Sequence, residues 1–303
     1  MIELRNLTKK FGGRVAVDDL SLKVPQGEIF GLLGHNGAGK STAIGMMLGQ
    51  VWPTSGAVMV CGHDVTSHRR AALQKVGAIF ETPAFYDYLS GWTNLEILSH
   101  YTAPTSKERI REVVDWVGLT GREQSKVKTY SHGMRARLAL AQSLLPQPEL
   151  LILDEPGGGL DPEGIAEMRH TILRLHRELK LTILLSSHLL TEVEQLCTRI
   201  AVLNQGRKVF EGKISDVKEG RQRVALKTPD FAAATGYLRE RGLIDGVNDG
   251  KFISLANGNS TADVTRTLVS AGIAVEGIWL HEQTLEDFYL ALVKPPPLPA
   301  NKN

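Results

Sequence analysis

The stretch Gly34-His35-Asn36-Gly37-Ala38-Gly39-Lys40-Ser41-Thr42 has the residue types that hold a chain of phosphates, in the order GxxxxGK[ST]. Glycines let the backbone curl so that successive amides point at phosphate oxygens, and a following helix adds its free N-terminal amides. Lys40 is suited to neutralise the β- and γ-phosphates, and the Ser41 hydroxyl to ligate Mg²⁺. A second group, Leu150-Leu151-Ile152-Leu153-Asp154-Glu155-Pro156, delivers two carboxylates at the end of an apolar run. Ligands of open parallel sheets sit at such strand ends, so Asp154 suits the Mg²⁺ shell and Glu155 an attacking water. Together the two groups predict a nucleoside triphosphatase.

Both groups need buried strands to carry them. The runs Ile29 to Leu33, Leu150 to Leu153 and Thr182 to Leu185 read as strands buried on both faces, which implies α/β layering. Between Thr82 and Pro148 the strand signal fades, and Lys107 to Val117 and Met134 to Leu145 show helical spacing, so a helical insertion at about 82–148 is expected. After residue 212 the pattern changes. Arg223 to Lys227, Lys251 to Leu255 and Ala274 to His281 alternate with helical stretches at Phe231 to Arg241, Ala262 to Ala271 and Thr284 to Val293, predicting an α+β domain over 213–294. The proline-rich residues 295–303 cannot continue a helix.

Composition narrows the partners. Of 303 residues 42% are hydrophobic, and 35 basic against 33 acidic residues leave a net charge of +2, which gives no support for a nucleic-acid partner. No apolar run approaches the roughly 18 residues of a membrane span, and Glu3, Arg5, Lys9 and Lys10 stand where a secretory signal would be apolar. Cys61 and Cys197 form no CxxC pair and read as two buried free thiols.

Residues 1–212 resemble the ATP-binding subunit of an ABC transporter. Beside the two groups above, Tyr130-Ser131-His132-Gly133-Met134 is similar to the family signature LSGGQ, Gly159-Leu160-Asp161-Pro162 to its D-loop, and Ser186-Ser187-His188 to its switch histidine. The resemblance implies ATP and Mg²⁺ as cofactors, with two ATP molecules sandwiched in a head-to-tail dimer. Ser131, a good N-cap, and Gly133 would then close over the γ-phosphate of a second ATP-binding subunit, in a homodimer. His188 would contact the γ-phosphate and orient water and Glu155. Phe11 stands where the family carries an adenine-stacking aromatic; stacking needs only a ring face, and a core phenylalanine is the other reading.

Glu81 occupies the place of the Q-loop glutamine, where it can ligate Mg²⁺ but adds a negative charge. With Thr82-Pro83 and the YSxGM signature, it is similar to bacterial exporters of bacitracin-like and lantibiotic peptides. His132 replaces the first signature glycine, and Gly157 a common threonine. The aromatics Phe85, Tyr86, Tyr88, Trp92 and Tyr101 suit either a core or an interface with a membrane subunit. The ending Thr284-Leu285-Glu286-Asp287-Phe288-Tyr289-Leu290 is similar to the accessory domain of such exporter ATPases. The expectation is an ATP-hydrolysing subunit, cytoplasmic and peripheral on the inner face of the membrane, that powers export through a separate polytopic permease. The rival readings are a switch ATPase acting on a macromolecule and a subunit of an importer.

Overall fold

The computed structural model describes residues 1–80, 83–102, 105–218, 223–248, 250–256, 258–281 and 284–293. The chain forms two compact units, Met1–Lys213 and Ile214–Asn303. Glu81, Thr82 and the proline-rich residues 295–303 lie outside the described residues.

In chain order the strands of the first unit are β1 (Ile2–Phe11), β2 (Arg14–Val24), β3 (Ile29–Leu33), β4 (Ser55–Val60), β5 (His63–Asp64), β6 (Val76–Ile79), β7 (Leu150–Asp154), β8 (Thr182–Ser187), β9 (Arg199–Asn204) and β10 (Arg207–Lys213). Its helices are α1 (Lys40–Met47), α2 (Arg69–Leu73), α3 (Gly91–Thr102), α4 (Lys107–Trp116), α5 (His132–Leu144), α6 (Pro162–Leu179) and α7 (Leu190–Leu196). Two sheets result. An antiparallel one runs β2-β1-β4-β5, and a larger one runs β10-β9-β3-β8-β7-β6, parallel from β9 to β6 with β10 antiparallel at its edge.

Strands β3, β7 and β8 are apolar on both faces because both faces are covered. Helix α1 packs against β2 and β4 of one sheet and β7 of the other, and is buried almost all round. That anchors the phosphate-binding turn in front of it to the core, with His35, Asn36 and Gly37 exposed at its tip. The helical insertion contains α3, α4 and α5, with α5 laid against β6. Of the aromatics, Tyr86, Tyr88 and Tyr101 are not core, at 43%, 67% and 81% exposed, whereas Phe85 and Trp92 are half-buried. Cys197 is buried but Cys61 only half-buried, which corrects the reading of two buried thiols. Burial pushes both thiols up, away from the reactive thiolate.

The second unit comprises α8 (Ile214–Lys218), β11 (Arg223–Lys227), α9 (Phe231–Glu240), β12 (Ile244–Asn248), β13 (Phe252–Leu255), α10 (Thr261–Ser270), β14 (Gly277–His281) and α11 (Leu285–Val293). The strands form an antiparallel sheet in the order β12-β13-β11-β14. Val224, Leu226 and Ile253 of the sheet pack on Ala234, Leu238, Val264 and Leu268 of the helices. Strand β12 is an addition to the sequence reading. Asp245 and Gly246 interrupt its apolar pattern, and the pairing shifts register between Ile244 and Gly246.

Among the described residues, no helix is long and apolar enough to cross a membrane.

Candidate functional site

The phosphate-binding turn leaves the end of β3 and enters α1 at Lys40. Gly39 sits at φ +103°, and a Cβ there would lie 2.5 Å from the Ala16 carbonyl oxygen, so only glycine lets the turn pass β2. No side chain caps α1 and no acidic residue lies in its first turn, which leaves its amides and positive end free for an anion. Lys40 is 5% exposed; its Nζ donates to the Gly34 carbonyl at 2.8 Å and reaches the His35 carbonyl at 3.5 Å. These carbonyls fold the lysine over the turn it must serve.

The other edge of the turn is held from a distance. The His35 ring contacts the Asn36 carbonyl through Nδ1 (2.7 Å) and Asn204 Oδ1 of β9 through Nε2 (3.3 Å). Asn36, Gly37, Gly39, Lys40, Ser41 and Thr42 line a cavity of about 540 Å³ with Phe11 and Arg14, whereas Ala38 is fully buried and packs inward. Phe11 and Arg14 face each other across the Gly12-Gly13 turn of the β1–β2 hairpin. Phe11 is 51% exposed, so the core reading is wrong, and Lys9 Nζ lies 4.8 Å from its ring centre. Arg14 is absent from every motif; its Nη2 lies 3.7 Å from where a side chain on Gly37 would begin, which sets a second cation over the turn. Only the shape of the hairpin could have signalled it.

The carboxylate pair arises from a strained strand end. Asp154 pairs with Ser186 of β8, whose hydroxyl donates to Asp154 Oδ1. Glu155 then adopts φ +48°, a left-handed conformation that costs a bulky residue roughly 1–2 kcal/mol. Its amide donates to the Ser186 carbonyl (3.2 Å) and hydroxyl (3.1 Å), which holds the bend. The bend brings Glu155 Oε1 to 3.6 Å from Lys40 Nζ and Oε2 to 3.0 Å from His188 Nδ1. Because a carboxylate oxygen accepts, His188 Nδ1 carries the hydrogen of this bond and donates it.

Ser41, Asp154 and Glu155 also line a second cavity of about 810 Å³, with His132, Arg135 and Leu160 on its wall. The Ser41 hydroxyl and the Asp154 carboxylate are hard oxygen donors, too few to cage an ion. That suits Mg²⁺, which keeps several waters and takes its remaining ligands from phosphate. Among the described residues no cluster of three or more His, Cys, Asp or Glu gathers for a metal. Glu81, the third expected metal ligand, lies outside the described residues.

Ser131 and Gly133 flank His132 at the start of α5. The Ser131 hydroxyl accepts the Met134 amide at 3.2 Å, capping α5, and Ser131 is exposed. Neither residue lines either cavity. Asp161 of the D-loop caps α6 by accepting the Gly164 amide at 2.9 Å.

Comparison with known proteins identifies the family. The family model described as ABC transporter matches residues 17–158. YhcH, an uncharacterized ABC transporter ATP-binding protein of Bacillus subtilis (strain 168), is 41% identical over 96% of this chain and 95% of its own. The bacitracin transport ATP-binding protein BcrA of Enterococcus faecalis is 38% identical over 97% and 96%. The linearmycin resistance ATP-binding protein LnrL of Bacillus subtilis is 37% identical over 72% and 70%. Among solved structures, an ATP-binding subunit of an ABC transporter superposes with a TM-score of 0.63 at 28% identity, covering 72% of this chain and 92% of that one. This chain belongs to the ATP-binding proteins of ABC transporters.

Proposed function

We propose that this chain hydrolyses ATP to drive export through a separate membrane permease, with an antimicrobial peptide or drug as cargo. The observation that carries the reading is the single carboxylate, Glu155, reaching both the phosphate-site lysine Lys40 and the switch histidine His188. Lys40, the turn amides and the α1 N-terminus bind the phosphates, and the Phe11 ring takes the adenine. Ser41 and Asp154 hold Mg²⁺, which when bound neutralises phosphate charge. Glu155 accepts the proton of the attacking water, and His188, hydrogen-bonded to it, holds the carboxylate in line.

Ser131 and Gly133 serve the nucleotide of a second copy. The exposure of Ser131 and the absence of both residues from the cavity that the phosphate turn lines support that role. The exposed tyrosines of the helical insertion fit a docking surface for the permease at the inner face of the membrane. Export and cargo class are supported by the similarity to bacitracin transport and linearmycin resistance proteins.

The test is to purify the tagged chain from gently solubilised membranes of its native cell with a non-hydrolysed ATP analogue bound. A stoichiometric polytopic protein is expected. Recovery only in the soluble fraction, with ribosomal or DNA-repair partners, would move the assignment to a switch ATPase.

A further inference from the structure

Glu192 is a buried carboxyl to which the hydrolytic reading gives no task. It lies in the first turn of α7, is 8% exposed, and burial pushes its carboxyl above the usual range. Its Oε2 accepts the Ser187 hydroxyl at 3.4 Å, and Ser187 Oγ in turn accepts the Leu189 amide at 3.0 Å, so this contact brackets His188 on both sides. Its Oε1 has no hydrogen-bond partner among the described residues. Both oxygens face Gly157 instead: a Cβ built there would lie 2.5 Å from Oε1 and 2.9 Å from Oε2. Gly157 stands two residues beyond Glu155. One carboxyl therefore touches the loop that carries Glu155 and the loop that carries His188, and it fits only because residue 157 has no side chain.

The bond it supports is vulnerable. Glu155 and His188 have side chains 34% and 46% exposed, on two separate loops, so beyond the bend that Ser186 holds at Glu155 the 3.0 Å between them depends on what ties the two loops together. An error of about 1 Å in such a pair costs roughly a hundredfold in rate.

We propose that Glu192 is a positioning residue: its carboxyl, wedged between Ser187 and Gly157, sets the separation of the Glu155 carboxylate from the His188 ring. The inference rests on the reading of Glu155 and His188 as the groups that handle water. A protonated, neutral wedge serves as well as a charged one, because what it supplies is volume and one hydrogen bond to Ser187.

The test measures ATP turnover and ATP affinity of the full-length protein. Glu192→Ala should lower kcat about tenfold with KM for ATP changed less than about twofold, and Glu192→Gln should restore kcat to within about twofold of the native value. Gly157→Ala should give a similar loss, because its methyl displaces the carboxyl. Combined with Glu192→Ala it should add nothing, because the methyl then enters vacated space. An unchanged kcat, a Gln variant as impaired as the Ala variant, or losses that multiply in the double variant would each overturn the proposal. If Glu192→Ala does not fold, Glu192→Gln and Gly157→Ala decide alone. Glu155→Gln in parallel separates the two readings: full turnover there removes the hydrolytic roles, whereas abolished turnover beside normal Glu192 variants removes only this one.

Discussion

The two units of the chain spend their backbone differently. Among the described residues, every non-glycine with positive φ lies in the first unit: Asn6, Asp19, Cys61, Gln147, Glu155, Lys180 and Gln205. In the second unit only glycines adopt such angles, at Gly242, Gly250, Gly258 and Gly272. Buried polar side chains divide by place in the fold: away from the site, Ser99 and Ser143 of the first unit bond the Glu96 and Leu140 carbonyls of their own helices. Thr235 of the second unit satisfies itself on the carbonyls of its own helix, whereas Lys40, Ser186, Ser187 and Glu192 of the first unit converge from separate elements on the loops that bear Glu155 and His188. A fold assembled for packing alone resolves each polar group locally. Strain and long-range polar contacts mark the part held together for chemistry.

The sharpest way to break this contrast is at Glu155. Replacing it by Gln keeps the size and the bend but removes the base, so turnover should fall by about 10²- to 10⁴-fold while ATP still binds. Phosphate release and nucleotide binding measured on one preparation check this, and an unimpaired rate would remove Glu155 as the base. In the second unit the largest effect should instead be on folding. Leu268 is fully buried between sheet and helices, and Leu268→Ala should cost about 2–5 kcal/mol of that unit's stability. Denaturant unfolding should show it, with ATP affinity unchanged. A loss of ATP affinity would mean that the second unit shapes the nucleotide site.

Arg14 gives the next smaller effect. Arg14 is an exposed cation over the phosphate turn, and its replacement by Ala should weaken ATP about tenfold, with Lys restoring part of the loss. An equal loss of affinity for ATP and for adenosine on Arg14→Ala would show that it does not reach the phosphates.

Arg14 also shows what the sequence did and did not disclose. The phosphate turn, the Asp154-Glu155 pair and His188 were legible because their roles depend on neighbours close in sequence: a glycine that permits a turn, an apolar run that buries a strand. The contacts that assemble them were not. Asn204 beside His35, Ser186 beneath Asp154 and Glu192 beside Gly157 are set by which strands adjoin in the sheet and which loops meet at its edge. The antiparallel sheet was equally hidden. Register shifts along the β1–β2 and β1–β4 pairings, with Asn6 and Asp19 in left-handed conformations, break the alternation that would reveal two long strands.

The smallest expected effect sharpens the comparison from the quieter side. Helix α10 opens on a reciprocal cap, in which Ser260 Oγ accepts the Asp263 amide at 3.3 Å and Asp263 Oδ2 accepts the Ser260 amide at 3.0 Å. Removing the hydroxyl by Ser260→Ala should lower the second unit's stability by about 1 kcal/mol and leave turnover untouched. The hydrogen bonds from Ser260 hold the Asp263 carboxyl below its usual range. A depressed carboxyl stabilises the folded form above its ordinary pKa, and that contribution disappears as pH falls through the depressed value. The difference between native and Ser260→Ala unfolding should therefore be present at neutral pH and shrink on acidification. A difference that stayed constant into acid would show that the hydroxyl alone, without the carboxylate, holds the start of α10.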